Sequence, residues 1–75
     1  MDTIRKHVVL YKDELAKYEW WRGRLGFSLS EFIRRGANIL VSILEIIAYT
    51  KDKEEARIQL YDFVNGLIEY YGERL

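Results

Sequence analysis

The eleven residues Gly26-Phe27-Ser28-Leu29-Ser30-Glu31-Phe32-Ile33-Arg34-Arg35-Gly36 constrain this chain more than any other stretch, because they hold a helix stop, a helix start and a packing face. Gly26 lacks a Cβ and takes the left-handed conformation that closes a helix at no steric cost. Ser28, with Glu31 three residues on, has the spacing of the capping box that opens the next helix. The pattern predicts two helices joined by a tight turn.

Upstream, Leu15, Tyr18, Trp21 and Leu25 share one face of a helix expected from Lys12 to Leu25. Gly23 weakens that segment by about 1 kcal/mol relative to alanine, so the helix relies on packing. Downstream, a second helix is expected from Ser28 to Tyr49 or Thr50. Phe32, Ile33, Ala37, Ile39, Leu40, Val41, Ile43, Leu44, Ile46 and Ile47 surround it, and Asn38, Ser42, Glu45 and Tyr49 leave only a narrow polar stripe. Such a helix is expected to be buried on most sides. Gly36 and Ala37 permit a close approach there, which marks a dimer centre. Asp52 and Glu55 repeat the capping spacing and predict a third helix, whose stripe Ala56, Leu60, Phe63, Val64, Leu67 and Tyr71 can lie on the second; Asn65-Gly66 is its weak point, open to a kink or an early end.

Ile4 to Leu10 reads differently. Ile4, Lys6, Val8 and Leu10 alternate with Arg5, His7 and Val9, as in a strand with one apolar face. A strand needs a partner for its backbone groups, and the chain offers no second one. The same strand of a second copy, antiparallel across a two-fold axis, is the economical solution.

Size points to the same assembly. A chain of 75 residues has a core worth only a few kcal/mol, and with no cysteine it has neither a disulfide nor a thiolate metal site to add to it. Its hydrophobic content of 49% is too high for a disordered chain and high for a solvated monomer of this size. A dimer is expected. One histidine and scattered carboxylates give no catalytic or metal-ligating constellation, so no enzyme, metal or cofactor is expected. The stretch from Gly36 to Tyr49 is about 21 Å long as a helix, short of the hydrocarbon core, so no membrane partner is expected. The polar N-terminus has no secretory pattern, and an intracellular, cytoplasmic, nucleoid-associated location is expected. The charge is zero overall but segregated: residues 1–35 hold eight Lys/Arg against five Asp/Glu, and residues 36–75 hold four against seven. A basic half (+3) and an acidic half (−3) suggest two surfaces with different partners.

From Arg5 to about Ile47 the chain resembles the ribbon-helix-helix DNA-binding regulators. The residues that carry the resemblance are the alternating strand ending in Leu10, Gly26 sixteen residues later without a gap, the stripe Leu15, Tyr18, Trp21 and Leu25 between them, and the helix opening Ser30-Glu31-Phe32-Ile33-Arg34. Tyr11, where the family has proline or serine, and Arg22, where it has a small apolar residue, depart from the pattern. The resemblance implies a mainly α homodimer in which one N-terminal strand pairs across the dimer, two helices follow, and a third C-terminal helix is added. Residues 1–49 would be the DNA-binding part and 50–75 the helix packing on it, within one domain.

By that resemblance, Arg5, His7 and Val9 of each subunit enter the major groove of double-stranded DNA. Arginine can grip guanine with two bonds, histidine donate or accept, and valine pack on a thymine methyl. The family also implies that backbone N–H groups of Phe27, Ser28, Leu29 and Ser30 clamp a phosphate. Lys12 and Arg24, with Arg22, Arg34 and Arg35, are further phosphate candidates, though a solvated or ion-paired role is the default for each. The expected dimer core is Val8, Leu10, Ile33, Ala37, Leu40 and Leu44. Two other readings stand beside this sequence-specific regulator, expected to be a repressor and forming a dimer or tetramer. One is an antitoxin or other module that binds a protein partner through the acidic, apolar C-terminal half. The other is a plain three-helix interaction domain without the strand.

Overall fold

A computed structural model of the chain describes residues 3–5 and 7–75. They form three helices: α1 (Lys12–Leu25), α2 (Leu29–Tyr49) and α3 (Lys53–Gly72). Each boundary follows from local hydrogen bonding. Tyr11 stands before α1 and its side chain makes no capping hydrogen bond, but the Glu14 carboxylate accepts its N–H at 3.1 Å. Asp13 and Glu14 at this end and Arg22 and Arg24 at the other complement the helix dipole.

Gly26 closes α1 at φ 77°, the left-handed region that a Cβ disfavours. Its N–H donates to the Gly23 carbonyl at 3.3 Å, and the Phe27 N–H donates to the Arg22 carbonyl at 3.0 Å. These are the paired bonds of a Schellman motif. Ser28 Oγ then accepts the Glu31 N–H at 3.1 Å, and Asp52 Oδ1 accepts the Glu55 N–H at 2.8 Å, so α2 and α3 open on side-chain caps. In α2 the reciprocal half of the box is replaced: Glu31 turns along the helix to Arg35 at 3.4 Å and Arg34 at 3.9 Å. Asn65-Gly66 does not interrupt α3.

The central helix is α2. It packs on α1, where the Tyr18 and Phe32 rings lie 5.6 Å apart, and on α3, which returns along it so that Ala56 lies near Ile47 and Tyr70 reaches Arg35. Leu60, Phe63, Leu67 and Tyr71 are half-buried on the inner side of α3, while Val64 stands exposed at its edge. Only Ala56, at 8% exposure, is buried among the described residues.

This architecture corrects two expectations. The chain is mainly α, but the described residues contain no strand: residues 3–5 and 7–10 form neither ladder nor helix, and Lys6 lies outside the described residues. A short apolar-polar alternation has no structure of its own without a second strand to bond to, and the described residues contain no strand to supply one. The ribbon-helix-helix architecture, with its N-terminal strand, is therefore overturned in favour of three helices. The expected burial of α2 on most sides is also unmet within one chain, since none of its residues is buried.

Candidate functional site

The expected contact residues fall into three groups. In the N-terminal segment Arg5, His7, Val8 and Val9 are exposed, Val9 to 94%, and Leu10 is half-buried. On α1, Lys12, Lys17 and Arg24 are exposed. The Arg24 guanidinium lies 5.0 Å from the centre of the Trp20 ring, which in turn meets Trp21 edge-on at 4.7 Å. Cation–π contact of this exposed kind orients Arg24 without neutralising it.

The third group surrounds the start of α2. Of the four N–H groups expected to clamp a phosphate, that of Phe27 is taken by the Arg22 carbonyl. Ser28, Leu29 and Ser30 stand where helix geometry supplies no acceptor within the helix. Ser28 and Ser30 are exposed and Leu29 half-buried, with Glu31 one residue further along.

Ion pairing separates the cations of the basic half. Arg22 is held by Glu19 at 2.6 Å, and Arg34 and Arg35 by Glu31. Arg5, Lys12, Lys17 and Arg24 form no ion pair among the described residues.

Arg35 has a structural role. Its guanidinium lies 4.2 Å over the Phe27 ring, donates to the Tyr70 hydroxyl at 3.4 Å and sits 5.9 Å from the Tyr70 ring centre. Its Nε is at ion-pair distance from Glu31 Oε1 but not aligned for a hydrogen bond, so this buried atom has no hydrogen-bond partner. Hydrogen bonding to Tyr71 and then to Tyr70, with the charge of Glu31 added, raises its pKa above the ordinary arginine value. The residue ties the α1–α2 junction to the end of α3. Below it, Leu25, Phe27, Phe32, Ile39 and Tyr71 enclose a cavity of about 160 Å³.

The apolar group is the most extensive. Ile33, Ala37, Leu40, Leu44 and Ile47 follow one another along α2 at alternating spacings of four and three, a continuous seam beside the stripe that packs on α1 and α3. Leu40, Leu44 and Ile47 are 55%, 53% and 54% exposed. Four of the expected dimer-core residues thus share one face, while Val8 and Leu10 lie in the N-terminal segment. Ile47 was not among them, although the spacing that joins Ile33 to Leu44 continues to it. Beside Ile47 the seam meets an open groove of about 480 Å³ lined by Ala56, Arg57 and Leu60.

No protein family, curated protein or solved structure matches this chain. Among the described residues there is no group of three histidine, cysteine, aspartate or glutamate side chains placed to hold a metal, and no helix long and apolar enough to cross a membrane.

Proposed function

We propose that this chain is an oligomeric double-stranded DNA-binding regulator whose basic N-terminal half contacts the duplex and whose apolar α2 face holds the oligomer together. The observation that carries the reading is the separation of the two surfaces. Four cations that form no ion pair among the described residues, Arg5, Lys12, Lys17 and Arg24, lie before Gly26, with Lys51, Lys53 and Arg74 the others, whereas the exposed aliphatic residues of the seam run from Ala37 to Ile47. Contact with the phosphate backbone needs solvated cations that are free to exchange their counterions for a phosphate, which the first surface offers. Ser28 and Ser30, with the N–H groups beside them, support a phosphate contact at the start of α2. Arg5 and His7 are the candidates for contacts to base edges, reached from the segment before α1 without a ribbon.

The test is binding of labelled genomic duplex fragments across a salt series, comparing wild type with Arg5→Ala/His7→Ala and with Lys12→Ala/Arg24→Ala, all checked for helix content. Binding is expected to weaken with salt at a slope of about −0.9 per phosphate contacted. The Lys12/Arg24 pair should lower affinity for all fragments and flatten that slope, while the Arg5/His7 pair should reduce discrimination between fragments. Absence of binding at low salt would contradict the proposal. It would favour the second reading, a module for a protein partner, for which the exposed Ile58, Tyr61 and Ile68 of α3 among Glu54, Glu55, Asp62 and Glu69 provide the surface.

A further inference from the structure

We infer that the outer face of α3 docks an amphipathic helix of another protein, one that carries a row of lysine or arginine beside its apolar stripe. Such docking is independent of any DNA contact by the basic half and uses a surface separate from the α2 seam.

The first ground is the spacing of exposed residues. Ile58, Tyr61, Asn65 and Ile68 follow one another at three, four and three residues, and the same alternation reaches Leu75 through Gly72. This is the repeat of a helix that pairs with another helix along a narrow seam. Ile58, Tyr61, Ile68 and Leu75 are each more than half exposed. They lie across the helix from Ala56, Leu60, Phe63 and Leu67, the less exposed stripe that packs on α2. α3 is thus apolar on two sides, and only the inner one is used within the chain. Asn65, in the middle of the outer seam, is the kind of polar residue that fixes the register of a helix pair at some cost in stability.

The second ground is charge, and it selects the occupant. Glu55, Asp62 and Glu69 run along one edge of this seam at intervals of seven residues. That places them about 10 Å apart along the axis, the distance at which a paired helix presents the same edge again. All three are exposed and form no ion pair among the described residues. On the other edge Arg57 is already paired with Glu54 at 3.5 Å, and Val64 follows it. The unbalanced charge of the seam is therefore negative. Nucleic acid, anionic lipid or an acidic helix would meet carboxylates along its whole length. A helix with lysine or arginine at seven-residue intervals meets opposite charge at every repeat.

The probe is a synthetic helix of about three heptads with leucine at the two seam positions and lysine at both flanking positions, whose like-charged flanks oppose self-pairing. Its counterparts are the same peptide with glutamate for lysine, and a scrambled lysine peptide of identical composition. Binding to the full chain is measured by calorimetry and located by backbone amide shifts. The lysine peptide is expected to bind about tenfold or more tighter than either counterpart, with the shifts confined to α3. Asp62→Lys/Glu69→Lys, checked for helix content, should reverse the preference, so that the glutamate peptide binds more tightly. Ile58→Ser/Ile68→Ser should abolish binding of both, which covers the case in which the charge variant fails to fold. Lys12→Ala/Arg24→Ala should bind the peptide as the wild type does, so a failure of DNA binding leaves this result untouched. Equal binding of the scrambled or the glutamate peptide would overturn the proposal, as would shifts along the α2 seam. Absence of binding would overturn it too, and is the result expected if a second copy of α3 covers the face.

Discussion

The two sides of α2 are almost equally apolar, yet they meet different fates within the chain. On the inner side Phe32, Ile39, Ile43 and Ile46 are half-covered by α1 and α3, and Arg35 is held among Phe27, Tyr70 and Glu31. On the outer side Ala37, Leu40, Val41, Leu44 and Ile47 stand exposed, Ile47 at the edge of the groove against α3. Two flanking helices can bury only one stripe of a third. An apolar arc that covers more than half of a helix's circumference therefore exceeds what two flanking helices bury, and the surplus is available for association rather than for the monomer core. The cations Arg5, Lys12, Lys17 and Arg24 are likewise uncovered, but they are charged and need no cover.

Substitutions on the two sides should separate these roles. The largest effect is expected at Leu44→Asp, a charge placed in the outer seam. It should convert the assembled species to monomer and abolish the concentration dependence of the thermal midpoint that self-association produces. A change within the roughly ±0.5 kcal/mol usual for a solvated surface position would break the comparison, because the outer side would then be indifferent. On the inner side Phe32→Ala should cost about 2–3 kcal/mol in urea unfolding, below the range for a fully buried phenylalanine since Phe32 is only half-covered.

Smaller effects sharpen the account at the helix ends. Gly26→Ala should cost about 1–2 kcal/mol, because φ 77° strains any residue with a Cβ although no atom lies within 4 Å of where that Cβ would be. Ser28→Ala should cost about 1 kcal/mol through loss of the bond to the Glu31 N–H, in the absence of DNA as well as in its presence. The smallest effect concerns pH. A raised arginine pKa contributes stability that is fully present below the unfolded value and lost only as pH rises through the folded one, so both limits lie above the ordinary range. The loss of stability caused by Arg35→Met should therefore be the same at pH 6 as at pH 9, as read by urea unfolding at each; a difference that grew towards neutral pH would show that another group governs the contact.

What could be read from the chain tracks how locally each feature is determined. The turn at Gly26 and the caps at Ser28 and Asp52 involve partners within five residues, and the helix limits agree with the sequence patterns to within about a residue. The reading failed where the partner is remote or absent. Residues 4 to 10 alternate like a strand, but alternation specifies a face only after something pairs with the backbone, and none of the described residues forms a strand. Glu31 has capping-box spacing, yet two arginines at i+3 and i+4 offer its carboxylate more than one N–H does. Arg35 looked like one more surface cation, because Tyr70 is thirty-five residues away and nothing in the local pattern joins them. At the candidate interface, the exposure of Arg5, His7, Lys12 and Arg24 agrees with their polar character, whereas the engagement of the Phe27 N–H depends on the turn geometry itself.

The claim on which the rest stands is that the outer side of α2 is an interface between copies of this chain. Sedimentation equilibrium of the wild-type protein over a wide concentration range, with Leu44→Asp alongside, tests it most directly. The account predicts a wild-type species of at least twice the 9.0 kDa chain mass and a variant at the mass of one chain. A stably folded wild-type monomer at every concentration would contradict it.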